Sequence, residues 1–260
     1  MTNGSRGSLV VVGTGISLIT HTTFEAKACI ERAEALMYVV SDTATETWLK
    51  RLNPSSVTLA DCYAEGKPRY KTYQEMADRI VSAVRTGLNV CAVFYGHPGI
   101  VVDASHEAIR QARSEGFRAR MLPGISTDDC LFADLGVNPG HVGCQSFEAT
   151  NFLLRRRRFD PTSALILWQV GVLGESSVRK GMACRDDRLR TLTAVLRRHY
   201  SARHPVILYE AAQLPICDPM IKEIALAQLP RESVHPVTTL YIPPKPPRRA
   251  DPRVMRWLRQ

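Results

Sequence analysis

An arginine and three tyrosines fall within one short segment, Asp61–Tyr73 (DCYAEGKPRYKTY). Tyr63, Arg69, Tyr70 and Tyr73 point to proton chemistry, because a guanidinium favours phenolate and can lower the pKa of a neighbouring tyrosine. An unperturbed tyrosine, near ~10, is a poor base at neutral pH. A site that must take a proton from a weakly acidic N–H would want this combination. The same residues also fit an ordinary surface loop with amphipathic tyrosines. A second segment, Tyr95-Gly96-His97-Pro98-Gly99, follows an apolar run and precedes a helical pattern. Its glycines let a ligand approach the backbone, and open parallel sheets bind ligands beyond the carboxyl ends of their strands. Pro123-Gly124-Ile125-Ser126 repeats the arrangement, with Ser126 either a helix cap alone or a cap that also offers its hydroxyl to a ligand. Gly13-Thr14-Gly15 stands where a dinucleotide-binding loop would, but Leu18 replaces the third glycine, so a plain strand-to-helix turn fits as well.

The elements that must position these segments alternate. Leu9–Val12 reads as a strand, and Thr22-Thr23-Phe24-Glu25 as a capping box opening a helix that runs to Glu34. Leu36–Val40 is a strand and Thr45–Leu52 a short helix. Thr72-Tyr73-Gln74-Glu75 reads as a second capping box, opening a helix with Met76, Ile80 and Val84 on one face. Asn89–Tyr95 and Phe117–Met121 are strands on either side of a helix over Asp103–Glu115. Strand–helix alternation with short links predicts a mainly parallel α/β sheet. Further on, Phe147–Arg157 and Asp187–Tyr200 read as helices, the latter with Leu189, Leu192, Leu196 and Tyr200 on one face. Ala164–Gln169, Pro205–Tyr209 and Val237–Ile242 read as strands. The change of texture near Gly136–Cys144 suggests a first sub-domain over 1–140 and a second over 141–244. A basic, proline-rich tail (245–260) follows, polyproline-like in its first part and ending in a short helix over Arg253–Gln260.

With 260 residues, 34 Lys+Arg and 25 Asp+Glu, the chain carries a formal charge of +9. Arg155–Arg158 supply four of these charges and the tail, with six basic residues and one acid, five; the remaining 24 basic and 24 acidic side chains cancel. A nucleic-acid track would spread its charge through the fold, so no nucleic-acid partner is expected. The arginine run reads as a solvated helix face or as a receiver for an acidic peptide. The apolar runs are far shorter than the ~20 residues of a membrane span, and no apolar signal segment opens the chain. A cytoplasmic protein with no membrane partner is expected. Seven cysteines lack any CxxC pair, and the histidines form no HExxH, so reduced thiols and no metal are expected.

Taken together, the Gly-Thr-Gly turn, Tyr95–Gly99, Met121-Leu122-Pro123-Gly124-Ile125-Ser126, Trp168-Gln169-Val170-Gly171, Tyr209-Glu210-Ala211-Ala212 and Thr238-Thr239-Leu240-Tyr241-Ile242-Pro243-Pro244 resemble the tetrapyrrole-methylase superfamily. Within it the chain is most similar to the borosin peptide backbone α-N-methyltransferases, over roughly residues 7–244, with the Arg69–Tyr73 spacing and Tyr95–Gly99 as the specific features. General tetrapyrrole methylases usually carry an acid where His97 stands, and that departure favours the peptide-methylating branch.

The resemblance implies a class III methyltransferase of α/β fold. It would have two α/β sub-domains with S-adenosylmethionine in the cleft between them, S-adenosylhomocysteine as product, no metal, and a homodimer. By matching motif, Tyr63, Arg69, Tyr73 and Tyr95 correspond to the catalytic set, and Tyr95, His97, Ile100, Ser126, Gln169, Ala211, Thr238 and Thr239 to cofactor contacts. Fungal relatives carry their own substrate at the C-terminus. Here the chain runs only 16 residues past Pro244, so a separate precursor peptide is expected as substrate, with a heterotetramer of two enzymes and two precursors as one assembly. The resemblance thus implies backbone amide methylation in the biosynthesis of a ribosomally made, post-translationally modified peptide. Methylation of a tetrapyrrole or other small molecule is the alternative on the same fold; a catalytically idle cofactor-binding partner is a second, against which the joint presence of Arg69 and Tyr73 speaks.

Overall fold

The computed structural model describes residues 7–178, 186–247 and 250–259. It divides into two compact units: one holds residues up to Leu135, 175–178 and Ala211–Pro219, and the other holds the remaining described residues.

The first unit is built on β1 (Ser8–Gly13), β2 (Ala35–Val39), β3 (Ser56–Thr58), β4 (Asn89–Phe94) and β5 (Arg118–Met121). They form one parallel sheet in the order β3-β2-β4-β1-β5. Side chains alternate across a strand, so β4 sends Val90, Ala92 and Phe94 to one face and Cys91 and Val93 to the other. The first face is covered by α3 (Arg69–Arg85) and α4 (Asp103–Ser114), through Met76, Ile80 and Val84 and through Ala104, Ala108 and Ala112. The second is covered by α1 (Phe24–Arg32) and α2 (Thr43–Leu52), through Ala26, Ile30 and Leu49. Burial on both faces explains why β1 and β4 are continuous apolar runs. Each large aliphatic side chain so buried contributes roughly 1.5–3 kcal/mol. Because β1 leads to α1 on one face and its neighbour β4 leads to α4 on the other, their connections diverge. That divergence opens a crevice at the carboxyl edge of the sheet. After β5, α5 (Thr127–Leu135) closes the unit.

The second unit begins with the one-turn α6 (Pro139–Val142) and pairs β6 (Cys144–Glu148), β7 (Ala164–Trp168), β8 (Pro205–Glu210), β9 (Met220–Ala225) and β10 (Thr239–Ile242) in the order β6-β7-β10-β8-β9. Only β6 and β7 are parallel; the other pairs are antiparallel. α7 (Ala149–Leu154) and α8 (Asp186–Leu196) pack on the sheet through Phe152 and through Leu189, Leu192 and Leu196, with Tyr200 just beyond. α9 (Pro252–Trp257) starts at an Asp251 cap, one residue earlier than the expected tail helix, whose last residue, Gln260, lies outside the described residues.

Three local expectations are corrected, and one strand was not expected. The cap of α1 is Thr23, whose hydroxyl accepts from Ala26 N, while Thr22 donates to the Thr14 carbonyl instead. The second capping box does not form: α3 begins at Arg69, with Thr72 already buried inside it. Main-chain pairing replaces the cap, because Arg69 N donates to Ser176 O at 2.9 Å and Gly66 N to Val178 O at 2.9 Å. The expected helix over Phe147–Arg157 is shorter at both ends: Phe147 and Glu148 finish a strand laddered on β7, and the helix stops at Leu154. Strand β9 was not legible, because an edge strand of sequence MIKEIA, mostly exposed, shows no clean alternation.

Candidate functional site

At the carboxyl edge of the first sheet three glycine-bearing turns meet. Gly15 and Gly96, both at positive φ (70° and 71°), exchange main-chain bonds: Gly96 N to Gly15 O at 3.0 Å and Gly15 N to Gly96 O at 3.3 Å. A β-carbon on Gly13 would lie 2.0 Å from the Gly96 carbonyl oxygen, and one on Gly124 3.3 Å from the same atom. Only glycine permits the first approach. His97 folds back on its own turn, its Nδ1 accepting from Gly99 N at 3.0 Å, so a neutral ring carries its proton on Nε2. Ile100 N closes the turn on the His97 carbonyl at 3.3 Å. Ser126 is buried, and its hydroxyl donates to Asp129 at 2.7 Å while accepting from Asp129 N at 3.3 Å. The serine thus caps α5. This glycine-walled ledge beyond parallel strands fits a nucleoside-bearing cofactor held by main-chain groups.

The tyrosine–arginine group lies on the segment that opens α3. Arg69 is the first residue of α3 and Tyr73 lies one turn later, so both project from the same side of the helix. Tyr63 follows a short 3-10 turn, Ala60–Cys62, and has Tyr73 and Arg69 as its electrostatic neighbours. Burial pushes the Tyr63 phenol up to about 12; Tyr73 adds to the rise, and the Arg69 guanidinium only partly opposes it. The expectation that the guanidinium lowers a phenol is thus corrected for Tyr63: desolvation wins, and the side chain is a proton donor at neutral pH. Arg69 Nε is buried without a hydrogen-bond partner. The loop before α3 is pinned by Lys67, which pairs with Glu75 and donates to Cys62 O at 2.9 Å, and by Arg79, which bonds Asp61 at 2.7 Å and Glu75 at 2.6 Å.

Tyr95 belongs to a different neighbourhood. Burial raises its phenol to about 12, with Cys130 and Asp42 adding to the rise and a bond to Gln213 opposing it. Gln213 follows Ala211 in the segment that returns to this unit, and its carbonyl accepts from Leu18 N at 2.8 Å. A cavity of about 510 Å³ opens beside it, lined by Ser17, His21, Asp129, Cys130 and Ala212 among others. His21 Nδ1 accepts from Ser17 N at 3.1 Å and lies 4.0 Å from Cys130 Sγ. None of His21, Cys130 or Gln213 was singled out as a site residue from the sequence, where no spacing links them.

In the second unit, Gln169, Thr238 and Thr239 share one edge of the sheet, at the end of β7 and the start of β10. Gln169 holds a left-handed conformation (φ 59°), and Val170 N donates to Thr238 O at 3.2 Å. Thr238 donates its hydroxyl to Glu210 and accepts from His235 N at 2.7 Å. A β-carbon on Gly171 would lie 1.8 Å from the His235 carbonyl oxygen, so glycine is required there. Among the described residues no group of three or more His, Cys, Asp or Glu side chains could hold a metal ion, and no helix is long and apolar enough to cross a membrane.

The family model of the Tetrapyrrole (Corrin/Porphyrin) Methylases matches residues 8–215. The chain belongs to that family. As a member of this methyltransferase family it shares a fold with the crystal structure of a uroporphyrin-III C-methyltransferase from Thermus thermophilus, at a TM-score of 0.66 and 17% identity over 92% of each chain. Its sequence is closer to fungal fusion proteins. It is 43% identical over 248 residues to a methyltransferase/ribosomally synthesized cyclic peptide precursor of gymnopeptides from Gymnopus fusipes, covering 94% of this chain and 59% of that protein. The same figures hold for the omphalotin A precursor of Omphalotus olearius. A type I borosin cyclic peptide precursor of Coprinopsis marcescibilis is 40% identical, over 94% of this chain and 64% of that protein. The chain thus spans about three fifths of the length of these relatives.

Proposed function

We propose that this methylase transfers methyl groups from S-adenosylmethionine to backbone amide nitrogens of a ribosomally made peptide. The buried, unpartnered Arg69 Nε beside Tyr63 and Tyr73 carries the reading. A buried donor without an acceptor is destabilising by about 1–3 kcal/mol, and an amide carbonyl oxygen is the acceptor it fits. The relatives whose names pair a methyltransferase with a cyclic peptide precursor support a peptide acceptor.

An amide nitrogen is a poor nucleophile because its lone pair is delocalised into the carbonyl. Arg69 Nε and the protonated Tyr63 hydroxyl donate to the carbonyl oxygen, stabilising the negative charge that gathers there as the N–H proton departs. Tyr73 accepts that proton, directly or through water. Tyr95 orients the acceptor. Tyr95, His97, Ile100, Ser126, Gln169, Ala211, Thr238 and Thr239 would hold the cofactor. When bound, the sulfonium cofactor supplies an electrophilic methyl group for in-line displacement. A homodimer and action in the cytoplasm complete the reading.

The test is co-expression with the short peptides encoded beside the gene, followed by fragment mass spectrometry. Added methyl units on backbone nitrogens support the proposal; methylation of a tetrapyrrole alone, or of side chains alone, overturns it. The trans presentation of the acceptor expected from the sequence is read directly, since the peptide is supplied as a separate chain.

A further inference from the structure

The arginine run Arg155–Arg158 is not needed by the chemistry above, yet its last three residues, Arg156–Arg158, line a cavity of about 810 Å³ in the second unit. That volume is in the range of ligand-binding sites. We infer that this cavity is a docking site for an acidic segment of a peptide partner, which rests on the reading of the protein as a peptide methylase and names the part of the substrate recognised away from the reacting amide.

Its walls are of two kinds. Arg156, Arg158 and Arg198 bring guanidinium groups, and Phe152, Phe159 and Val195 bring apolar surface. None of these three arginines has an acidic partner among the described residues. The nearby Arg157 is braced by Asn151 Oδ1 at 3.0 Å and 3.2 Å. Asp160, the acid closest in sequence, is engaged by Thr162 at 2.8 Å and 2.7 Å. Lys245 adds a further cation, 5.5 Å from the centroid of Tyr200, whose ring stacks on Phe159.

The backbone supports a selected arrangement. α7 ends in a Schellman turn: Arg157 N donates to Phe152 O and Arg156 N to Leu153 O, both at 3.2 Å. The residue that must be left-handed in this turn is Arg156, at φ 47°. Glycine is the ordinary occupant, and a side chain there is strained. A guanidinium kept where glycine would be more stable signals a use for it.

The occupant follows from charge and shape. Convergent guanidiniums take carboxylates in paired hydrogen bonds, while the apolar wall takes a leucine-like side chain. The chain's own tail has the wrong sign. A nucleic acid would want an aromatic face free for stacking, but Phe159 is already packed against Phe152, His199 and Tyr200 at 5.6, 4.7 and 6.0 Å.

The probe is a fluorescein-labelled peptide of alternating glutamate and leucine, titrated against full-length protein by anisotropy. Binding is expected to weaken at least about tenfold, ~1.4 kcal/mol, in Arg156→Glu/Arg198→Glu and, separately, in Arg158→Glu, and when glutamine replaces glutamate in the probe. Melting curves check that each variant folds. Tyr73→Phe should bind the probe as the unaltered protein does. No binding to the unaltered protein, binding within twofold in both variants, or equal competition by oligouridylate overturns the inference. If the probe binds as expected while no backbone methylation is found in the co-expression experiment, the docking site stands and the proposed reaction falls.

Discussion

Arg69 Nε is buried without a hydrogen-bond partner one helical turn before Tyr73, and Tyr63 is their electrostatic neighbour. The pairing follows from α3 starting at Arg69 itself, which places residues four apart on one side of the helix. Replacing Arg69 by alanine removes the buried donor. Methyl transfer should fall on the order of 10²–10³-fold, as for loss of one oxyanion donor, while S-adenosylhomocysteine still binds. Single-turnover rates and calorimetric titration separate the two; unchanged turnover would remove Arg69 from the reaction.

Tyr63 and Tyr73 have separable roles. With its phenol held near 12, Tyr63 keeps its proton through neutral pH and acts only as a donor. Tyr63→Phe should therefore lower kcat by about tenfold without moving the pH–rate profile between roughly 7 and 10. Tyr73→Phe should remove the proton acceptor and lower methyl transfer by about 10²–10⁴-fold. A shift of the profile in the Tyr63 variant would show that Tyr63, not Tyr73, takes the proton.

Alkaline stability provides an activity-free check. Tyr63 and Tyr95 are both raised to about 12, chiefly by burial, whereas an unfolded phenol ionises near ~10. Between those values the unfolded chain has lost protons that the folded one retains, so stability falls as pH rises and is insensitive to these groups below ~10. Melting temperature plotted against pH should turn down in that window, and less steeply in Tyr63→Phe and Tyr95→Phe. Equal slopes in all three proteins would contradict the burial of these phenols.

Two glycines separate steric from conformational demand. Gly13→Ala would force a β-carbon to 2.0 Å from the Gly96 carbonyl oxygen, and should destabilise by on the order of 3 kcal/mol, the upper end for overpacking. Gly66 has open space around it but φ of +74°, so Gly66→Ala should lose only about 1 kcal/mol. Urea midpoints at constant slope decide this, and the reverse order would refute the close contact of the turns.

Arg156→Gly should act in the opposite sense. Relieving the left-handed conformation at φ 47° should stabilise by up to ~1 kcal/mol, read as a higher denaturation midpoint. A lower midpoint would mean that the side chain itself holds the turn.

Much of the first unit was legible in the sequence. The apolar runs of β1 and β4 and the four-residue spacing of Met76, Ile80 and Val84 specify a parallel sheet covered on both faces, because periodicity and burial are the same constraint. The glycine turns at 13–15, 96–99 and 124 were legible for a local reason, since glycine alone readily takes positive φ at Gly15 and Gly96 and allows the close approach at Gly13. Other features were decided by partners remote in the chain. Residues 176–178 pair with 66–69 and start α3 three residues before Thr72, the cap its local sequence suggests. Cys144–Glu148 becomes strand because β7 offers a ladder. The sequence by itself also determined that Arg69 and Tyr63 are neighbours along one short segment and that Arg155–Arg158 is a block of charge. Tertiary structure alone decided that burial outweighs the guanidinium at Tyr63, and that Arg198, some forty residues on, joins the arginine run around one cavity. Desolvation and convergence depend on which distant surfaces close over a side chain, and spacing along the chain does not encode that.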